Sequence, residues 1–167
     1  MKYTESQINK ISKDLQNKIK GKVLSDPFSR GRYSTDSSLY QITPLGAVLP
    51  KDQNDVLNLM EYSQKNSIPL LARGGGSSQC GQTVNEAIVL DYSMHQNKIL
   101  ELNLEEKYVW VQPGIVLDSL NKYLKPHGLW FPVDVSTSSR ATIGGMTGNN
   151  SCGSRSLYYG NMVNNVL

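Results

Sequence analysis

The sequence predicts an α+β fold made of two successive units of strands and helices. In the first unit, between residues 47 and 90, short apolar runs flank an amphipathic segment of helical period. This strand–helix–strand order is typical of parallel strands joined by a crossover helix. In the second unit, between residues 98 and 124, two apolar runs separated by a polar turn precede another helical segment. The 167 residues are 38% hydrophobic and 19% charged, a composition that describes a soluble globular chain with a core.

The N-terminal part, residues 1–40, is predicted to be a surface helix followed by an irregular lead-in. Apolar side chains recur at helical spacing between residues 5 and 20, after Thr4 as a candidate N-cap. Packing on the core is the simplest role for this lysine-rich helix, and binding to a membrane surface is the alternative. Turn formers dominate residues 25–45, so no regular element is predicted there. Residues 41–167 are assigned to the main domain.

The elements of the first unit follow in order. Residues 47–49 are predicted to form a strand, and a helix is predicted to begin after Asp52, its candidate N-cap, and to end at Asn66-Ser67. Two further strands are predicted at residues 70–72 and 87–90. The strand at 70–72 runs directly into three glycines, which places a glycine loop at the carboxyl end of a strand. Open α/β sheets bind their ligands at that end.

The second unit is predicted to start with a hairpin. Its strands are residues 98–102 and 108–111, and the polar segment between them forms the turn. Pro113-Gly114 ends the second strand. Apolar residues from Val116 to Leu124 recur at helical spacing and predict a helix that ends at Lys125-Pro126-His127-Gly128.

The glycine loop extends from Arg73 to Gln82 and begins with three consecutive glycines. Ordering three glycines costs much backbone entropy, so a folded protein seldom keeps them without a reason. Two interpretations are open. The successive N–H groups form a concave site for a phosphate, to which hydroxyls and a cation add, or the loop is a flexible turn between strands.

A second stretch rich in small residues occupies residues 136–160. Its glycines, hydroxyls and amides are interleaved with apolar residues such as Ile143 and Met146, which is unusual for a linker and suits a wall against a flat ligand. Two such stretches together favour a ligand site. Neither contains the P-loop pattern, and Gln79 stands where the dinucleotide fingerprint has its third glycine. Phosphoryl-transfer and Rossmann functions are therefore disfavoured.

Composition excludes several further classes. A net charge of +3 without a basic run interleaved with aromatics does not favour nucleic-acid binding. The two cysteines, Cys80 and Cys152, do not make a secreted disulfide framework and are too few for a metal site. The N-terminus has no apolar core of signal-peptide length, and no apolar run approaches the ~20 residues of a membrane span. We therefore expect a cytoplasmic protein.

Several motifs follow one another in order: Arg73-Gly74-Gly75-Gly76-Ser77, Val111-Gln112-Pro113-Gly114, Ser136-Thr137-Ser138, Ala141-Thr142-Ile143-Gly144-Gly145, Gly148-Asn149-Asn150-Ser151-Cys152-Gly153 and Tyr159-Gly160. In this combination the chain closely resembles FAD-linked oxidases of the vanillyl-alcohol oxidase and p-cresol methylhydroxylase (PCMH) type. The branch it resembles most is that of the FAD-dependent 2-hydroxy-acid dehydrogenases: the glycolate oxidase FAD subunit, D-lactate dehydrogenase and D-2-hydroxyglutarate dehydrogenase. The resemblance extends over residues 32–167.

The resemblance implies a PCMH-type FAD-binding domain of two α+β subdomains with FAD between them. It implies that the FAD diphosphate is held by the backbone of Arg73, Gly74, Gly75, Gly76, Ser77 and Ser78, with Gly81 and Gln82 closing the loop. Pro113 and Gly114 are implied on the adenine side. The remaining contacts with FAD are implied for Ser136, Thr137, Ser138, Thr142, Gly144, Gly145, Asn149, Ser151, Gly153 and Ser156.

The chain departs from the family in two respects. Many relatives attach FAD covalently through a histidine in the first glycine loop, and this loop has none, so we expect non-covalent FAD. Relatives also continue through more strands of the second subdomain and a separate substrate domain. The second subdomain is therefore expected to be incomplete at its C-terminal end, and the chain alone to be inactive. No catalytic residue is assigned, and a second polypeptide is a candidate source of the substrate domain.

The reaction implied by the resemblance is hydride transfer from the alcohol carbon of a 2-hydroxy acid, such as D-lactate or glycolate, to flavin N5. A truncated FAD-binding remnant without turnover is the alternative. A third hypothesis, an RNA-binding module with glycine-rich loops, is disfavoured because the charge is weak and no aromatic platform is evident.

Overall fold

A computed structural model describes residues 3–167, which divide into two compact units. The first unit ends at His95, and the second comprises Gln96–Leu167. Each unit combines helices with short strands, so the predicted α+β class is confirmed. The described part of the N-terminal region belongs to the first unit, and the assignment of residues 41–167 to one FAD-binding domain stays a prediction.

The first unit contains a four-stranded sheet. Its strands are β1 (Lys22–Leu24), β2 (Gly46–Leu49), β3 (Leu70–Arg73) and β4 (Ile88–Asp91). They are ordered β1-β2-β4-β3, with β1 antiparallel to β2 and the other pairs parallel. The predicted crossover joins β2 to β3, and β4 lies between these two strands. Periodicity predicted the parallel direction but not this order.

Three helices accompany the sheet: α1 (Glu5–Gln16), α2 (Pro27–Arg32) and α3 (Gln53–Asn66). The predicted N-caps of α1 and α3 are confirmed, because the side chain of Thr4 accepts from the Gln7 N–H and that of Asp52 from the Asp55 N–H. Helix α1 ends four residues before its predicted end. Ile19 keeps the helical spacing and is buried, although the backbone has left the helix.

Residues 25–45 are more regular than predicted, since they contain α2, and β1 lies just before them. Asp26 caps α2 by accepting from the Ser29 N–H, and Pro27 occupies the first helical position. Aspartate, proline and serine form turns but also begin helices, so composition alone did not distinguish the two.

Neighbouring strand residues point to opposite faces of the sheet. Side chains on both of these faces are buried. Val48 and Leu90 belong to the larger cluster, which includes residues of α1 and α3. Ala47 and Val89 pack on the other face against Tyr33 of the lead-in. The segment around Tyr33 is therefore anchored directly on the sheet.

The second unit begins with an antiparallel hairpin of β5 (Ile99–Asn103) and β6 (Tyr108–Val111), as predicted. Helix α4 (Leu117–Leu124) follows, then α5 (Ile143–Gly148) and α6 (Ser156–Tyr159). Its core is formed by α4, by α5 and by buried residues of the segments around them: Ile115, Leu117, Leu120, Leu124, Val133, Ala141, Ile143, Met146 and Met162. Helices α5 and α6 lie in the stretch of small residues for which no element was predicted.

Candidate functional site

The glycine loop follows β3 at the carboxyl end of the parallel strands, as predicted. Within the described residues 3–167, the backbone N–H groups of residues 74–79 donate no hydrogen bond to any protein acceptor. Gly76 is buried, while Gly75 and Gln79 are exposed. Because unpaired N–H groups in a folded loop favour an anionic ligand, six consecutive ones suit a diphosphate.

Gly76 has a conformation that only glycine adopts easily. Its φ is +63°, and a Cβ added there would lie 2.6 Å from Nη2 of Arg73. Its carbonyl oxygen accepts from the N–H of Ser37 at 3.2 Å. Gly76 is therefore fixed by contacts on both sides.

The Arg73 side chain contacts backbone carbonyls of the protein. Nη2 donates to Thr35 at 2.8 Å, and Nη1 donates to Thr83 at 3.1 Å and to Tyr33 at 3.4 Å. The guanidinium carbon also lies 5.4 Å from the centre of the Tyr33 ring. No reasoning from the sequence predicted these partners, because Tyr33 and Thr35 lie about forty positions earlier in the chain.

The far end of the loop, residues 78–82, is held by hydrogen bonds to the Ser78 side chain and by the ring of Tyr40. The Ser78 hydroxyl bonds the Gln82 side chain and accepts from the N–H groups of Cys80 at 3.2 Å and Gln82 at 3.4 Å. The Tyr40 ring packs against Gly81. These contacts close the loop locally.

Two carboxyl groups support the loop from the lead-in and from β4. Burial acts to raise the pKa of Asp36, but hydrogen bonds from Ser38 and Thr83 outweigh it and hold that pKa below its ordinary value. The Tyr33 hydroxyl donates to Asp91 at 2.6 Å. Burial, and then Asp91, raise the pKa of Tyr33 far above its ordinary value, so Tyr33 is a neutral donor.

In the second unit, Pro113, Thr142, Gly144 and Gly145 lie together at the start of α5. The Gly144 N–H donates to the Pro113 carbonyl at 2.8 Å, and the Gly145 N–H donates to the Thr142 hydroxyl at 3.3 Å. A Cβ on Gly144 would lie 2.6 Å from Cβ of Pro113. The N–H groups of both glycines thus have internal partners, and the small size of Gly144 allows this close packing.

The turn at residues 136–140 completes the start of α4. Helix α4 has no side-chain cap, and the carbonyls of Ala141 and Ser138 accept from the N–H groups of Leu117 and Asp118 at 3.0 and 3.2 Å. Within the part of the chain that the structure describes, the hydroxyls of Ser136, Thr137 and Ser138 have no hydrogen-bond partner. They are available to a ligand.

Gly153 and Ser156 lie at the start of α6, beside Asp134. The Ser156 hydroxyl accepts from the Gly153 N–H at 3.0 Å. Asp134 accepts from the Arg155 N–H at 2.9 Å and from the Ser154 hydroxyl at 2.7 Å, and these bonds lower the pKa of Asp134. Asp134 was not among the predicted site residues, because no local motif marks a residue whose partners lie about twenty positions later.

Asn149 and Ser151 form a third small group just after α5, where the Asn149 amide donates to the Ser151 hydroxyl at 3.2 Å. Gly114 donates its N–H to the Gln96 carbonyl at 2.7 Å. The site residues predicted for the second unit thus occur as separate local clusters, and the glycine loop is in the first unit.

Residues 3–167 contain no group of three or more side chains that could hold a metal ion. Cys80 and Cys152 are both exposed and unpaired. In the same range, no helix is both long and apolar enough to span a bilayer.

The glycine loop lies within a region of the chain that matches a known protein family. Residues 44–167 match the family described as an FAD binding domain. The chain belongs to this FAD-binding family. The resemblance inferred from the glycine-rich motifs is therefore confirmed, while the roles of individual residues stay predictions.

Curated relatives of this FAD-binding chain are 2-hydroxy-acid oxidoreductases by name. The D-2-hydroxyglutarate dehydrogenase of Pseudomonas putida is 44% identical over 152 residues, which cover 89% of this chain and 15% of that protein. The glycolate oxidase subunit GlcD of Bacillus subtilis is 31% identical over 158 residues, which cover 90% of this chain and 33% of that protein. The chain thus spans a third or less of the length of these relatives.

Solved structures agree on the fold of this FAD-binding domain. An alkyldihydroxyacetonephosphate synthase superposes with a TM-score of 0.77 at 23% identity, over 96% of this chain and 32% of that one. A substrate-bound p-cresol methylhydroxylase superposes with a TM-score of 0.69 at 19% identity, over 89% and 30%. The PCMH-type fold predicted from the motifs is confirmed, and the chain covers only part of these longer proteins.

Proposed function

We propose that this chain is the FAD-binding portion of a flavin-dependent oxidoreductase and that its glycine loop holds the FAD diphosphate. One observation carries the proposal: six consecutive N–H groups, at residues 74–79, donate to no protein acceptor at the carboxyl end of two parallel strands. A diphosphate offers a row of oxygen acceptors that such a loop satisfies. The match of residues 44–167 to an FAD-binding family supports FAD as the molecule that contains this diphosphate.

The site residues of the second unit are proposed to contact the rest of FAD. The free hydroxyls of residues 136–138 supply hydrogen bonds. Gly144 and Gly145, whose N–H groups already have partners, contribute by their small size, which allows a bulky ring to approach the backbone. Pro113 and Gly114 are proposed on the adenine side, as the resemblance implies.

We propose a 2-hydroxy acid, such as D-lactate or glycolate, as the substrate of the complete enzyme. The names of two relatives, a D-2-hydroxyglutarate dehydrogenase and a glycolate oxidase subunit, support this class. When bound, the flavin supplies the acceptor for the hydride that leaves the alcohol carbon. The residues of this chain bind and orient FAD, and the groups that bind the substrate are proposed to come from a part beyond these residues or from a second polypeptide.

FAD is proposed to be bound without a covalent bond, since residues 73–82 contain no histidine. The measurement is acid precipitation of the FAD-loaded protein, followed by absorbance of the supernatant and the pellet. We expect all flavin in the supernatant. Flavin retained in the pellet would show a covalent link.

A cytoplasmic location is also proposed, because both exposed cysteines are unpaired, as is usual in a reducing compartment.

Titration of the purified chain with FAD, FMN and riboflavin tests the proposal. If the loop binds the diphosphate, FAD binds tightly, riboflavin binds least, and ADP competes with FAD. Hydrogen exchange should slow at residues 74–79 when FAD is added. A protein that takes up no FAD, or that binds riboflavin as tightly as FAD, contradicts the proposal.

A matched pair of glycine variants separates loss of the site from general backbone strain. Gly76 and Gly128 both have φ near +65°, but a Cβ at Gly128 would meet nothing within 4 Å. We expect Gly76→Ala to weaken FAD binding at least about tenfold, the effect of losing one charge-assisted hydrogen bond or more. Gly128→Ala carries the same backbone penalty and should leave the Kd for FAD unchanged.

A further inference from the structure

The Arg73 guanidinium connects three stretches of backbone around the glycine loop. Two of its acceptors, the carbonyls of Tyr33 and Thr35, belong to the lead-in segment, residues 33–38. The third, the carbonyl of Thr83, lies just past the end of the loop. Nη1 donates to Tyr33 and Thr83, which uses both of its N–H groups.

The lead-in segment also contacts the loop independently of Arg73. Ser37 donates its N–H to the Gly76 carbonyl at 3.2 Å. The Asp36 carboxylate accepts from the Thr83 hydroxyl at 2.9 Å and from the Thr83 N–H at 3.4 Å. The segment therefore contacts the loop near its start and just past its end.

The lead-in segment is itself anchored to the sheet. Tyr33 is 8% exposed, and its hydroxyl donates to Asp91, which is 7% exposed at the end of β4. Strand β4 pairs with β3, which leads into the loop. A continuous chain of contacts thus connects the sheet, the lead-in segment and both ends of the loop through the Arg73 side chain.

We infer that Arg73 is a positioning residue of the FAD site and not a ligand of the diphosphate. Its guanidinium holds the lead-in segment and the loop in the shape that leaves the N–H groups of residues 74–79 free for the diphosphate. This role rests on the proposed function. It assigns the lead-in segment, which precedes the residues matched by the family, to the support of the cofactor loop.

Three variants test this role: Arg73→Gln, Arg73→Lys and, as the charge-matched control, Arg32→Gln. Arg32 is exposed and lies next to Tyr33 in sequence. The measurements are the Kd for FAD at several salt concentrations and hydrogen exchange of the FAD-free protein. A lysine ammonium keeps the charge but not the planar fork that reaches several carbonyls.

We expect both Arg73 variants to raise the Kd for FAD about tenfold or more, because each loses charge-assisted bonds, whereas Arg32→Gln stays within about twofold. The salt dependence of binding should be the same in Arg73→Gln and Arg32→Gln, since each loses one charge that does not touch the diphosphate. In the FAD-free Arg73 variants, the N–H groups of Ser37 and Thr83 should exchange faster.

The alternative, in which the Arg73 side chain itself binds the diphosphate, predicts different results. In that case Arg73→Lys retains near wild-type affinity, and Arg73→Gln shows a weaker salt dependence than Arg32→Gln; either result overturns the inference. A wild-type chain that binds no FAD refutes the proposed function and this role with it. Wild-type binding with an unchanged Kd in Arg73→Gln refutes the role alone.

Thr83→Val provides a second test if the Arg73 variants do not fold. It removes the hydroxyl that donates to Asp36 and leaves every charge in place. We expect its Kd for FAD to rise about threefold to tenfold, the effect of one hydrogen bond to a charged group. The bond from Arg73 to the Thr83 carbonyl is kept in this variant, so a Kd equal to that of the wild type would contradict the support of the loop by the lead-in segment, on which the role of Arg73 rests.

Discussion

At residue scale, Gly153 shows how the lack of a side chain lets two segments touch. A Cβ on Gly153 would overlap the carbonyl oxygen of Asp134, and relief requires the backbone to move. We expect Gly153→Ala to lower the free energy of unfolding by about 2–3 kcal/mol, as in other overpacked sites. Urea unfolding followed by tryptophan fluorescence measures it, because both tryptophans, Trp110 and Trp130, belong to the second unit.

Gly148→Ala is the matched control for this prediction. Gly148 is exposed in α5, and an added Cβ would meet nothing within 4 Å. Alanine there should change the free energy of unfolding by less than about 1 kcal/mol, or raise it slightly. Equal losses in the two variants would show that Gly153 has no special contact.

Tyr33 is a second position where one group decides stability. Tyr33→Phe removes the buried hydrogen bond to Asp91, although the Ser93 N–H still donates to that carboxylate. We expect a loss of about 1–3 kcal/mol at neutral pH, the effect of losing one buried hydrogen bond to a charged group. Tyr40→Phe, which alters an exposed ring, should leave stability unchanged. The measurement is urea unfolding followed by far-UV circular dichroism.

The raised pKa of Tyr33 predicts how stability varies in alkali. Its ordinary value is 10.0, and in the folded protein burial and Asp91 raise it. Because the unfolded chain releases this proton first, the stabilisation is complete below pH 10 and is lost as the pH rises towards the folded pKa. Above pH 10, Tyr33→Phe should lose stability less steeply than the wild type. Part of the slope should remain, since the pKa values of Tyr62 and Tyr92 are raised too.

At the scale of elements, the first turn of α3 holds the chain that enters the sheet. Asp55 is 1% exposed, and its carboxylate accepts from the N–H groups of Lys20, Gly21 and Lys51 at 2.8–2.9 Å. These bonds join α3 to the residues before β1 and after β2. The carboxylate therefore replaces backbone partners that the turn cannot supply.

We expect Asp55→Asn to destabilise the protein by about 2–3 kcal/mol, because an amide offers one acceptor oxygen to three backbone donors. Asp52→Asn is the control: Asp52 caps α3 at the surface, and asparagine is an equally good N-cap. The control should show only a small loss. Thermal unfolding followed by far-UV circular dichroism compares the two variants, and equal shifts in Tm would contradict the role of Asp55.

Elements were predictable from the sequence wherever their signals are local. Strands β2 to β6, α3 with its cap, and the hairpin follow from apolar periodicity and turn residues. Helix α2 was missed because its capping residues are also turn formers, and α5 because four of its six residues are small or polar ones expected in a loop. The start of α4 has no cap in its own sequence, since its N–H groups bond carbonyls some twenty residues later.

At the scale of the whole molecule, the two units give separate readouts of FAD binding. A ligand that binds only the folded state at 100 times its Kd stabilises that state by about 2.7 kcal/mol. We expect FAD to slow hydrogen exchange in β4 of the first unit and to raise the tryptophan-detected Tm of the second. Stabilisation of the first unit alone would contradict the proposed contacts of residues 113–156, and stabilisation of neither would contradict FAD binding.

The sequence by itself determined the family, the position of the glycine loop after a parallel strand, and most of the strands. All of these rest on patterns that span a few residues. Only the tertiary structure decided the partners of the site residues: the carbonyls that Arg73 holds, the internal bonds of Gly144 and Gly145, and the contact of Gly153 with Asp134. Most of these partners lie about twenty to forty positions apart, and a hydrogen bond between such residues depends on how the chain folds back, which no local pattern records.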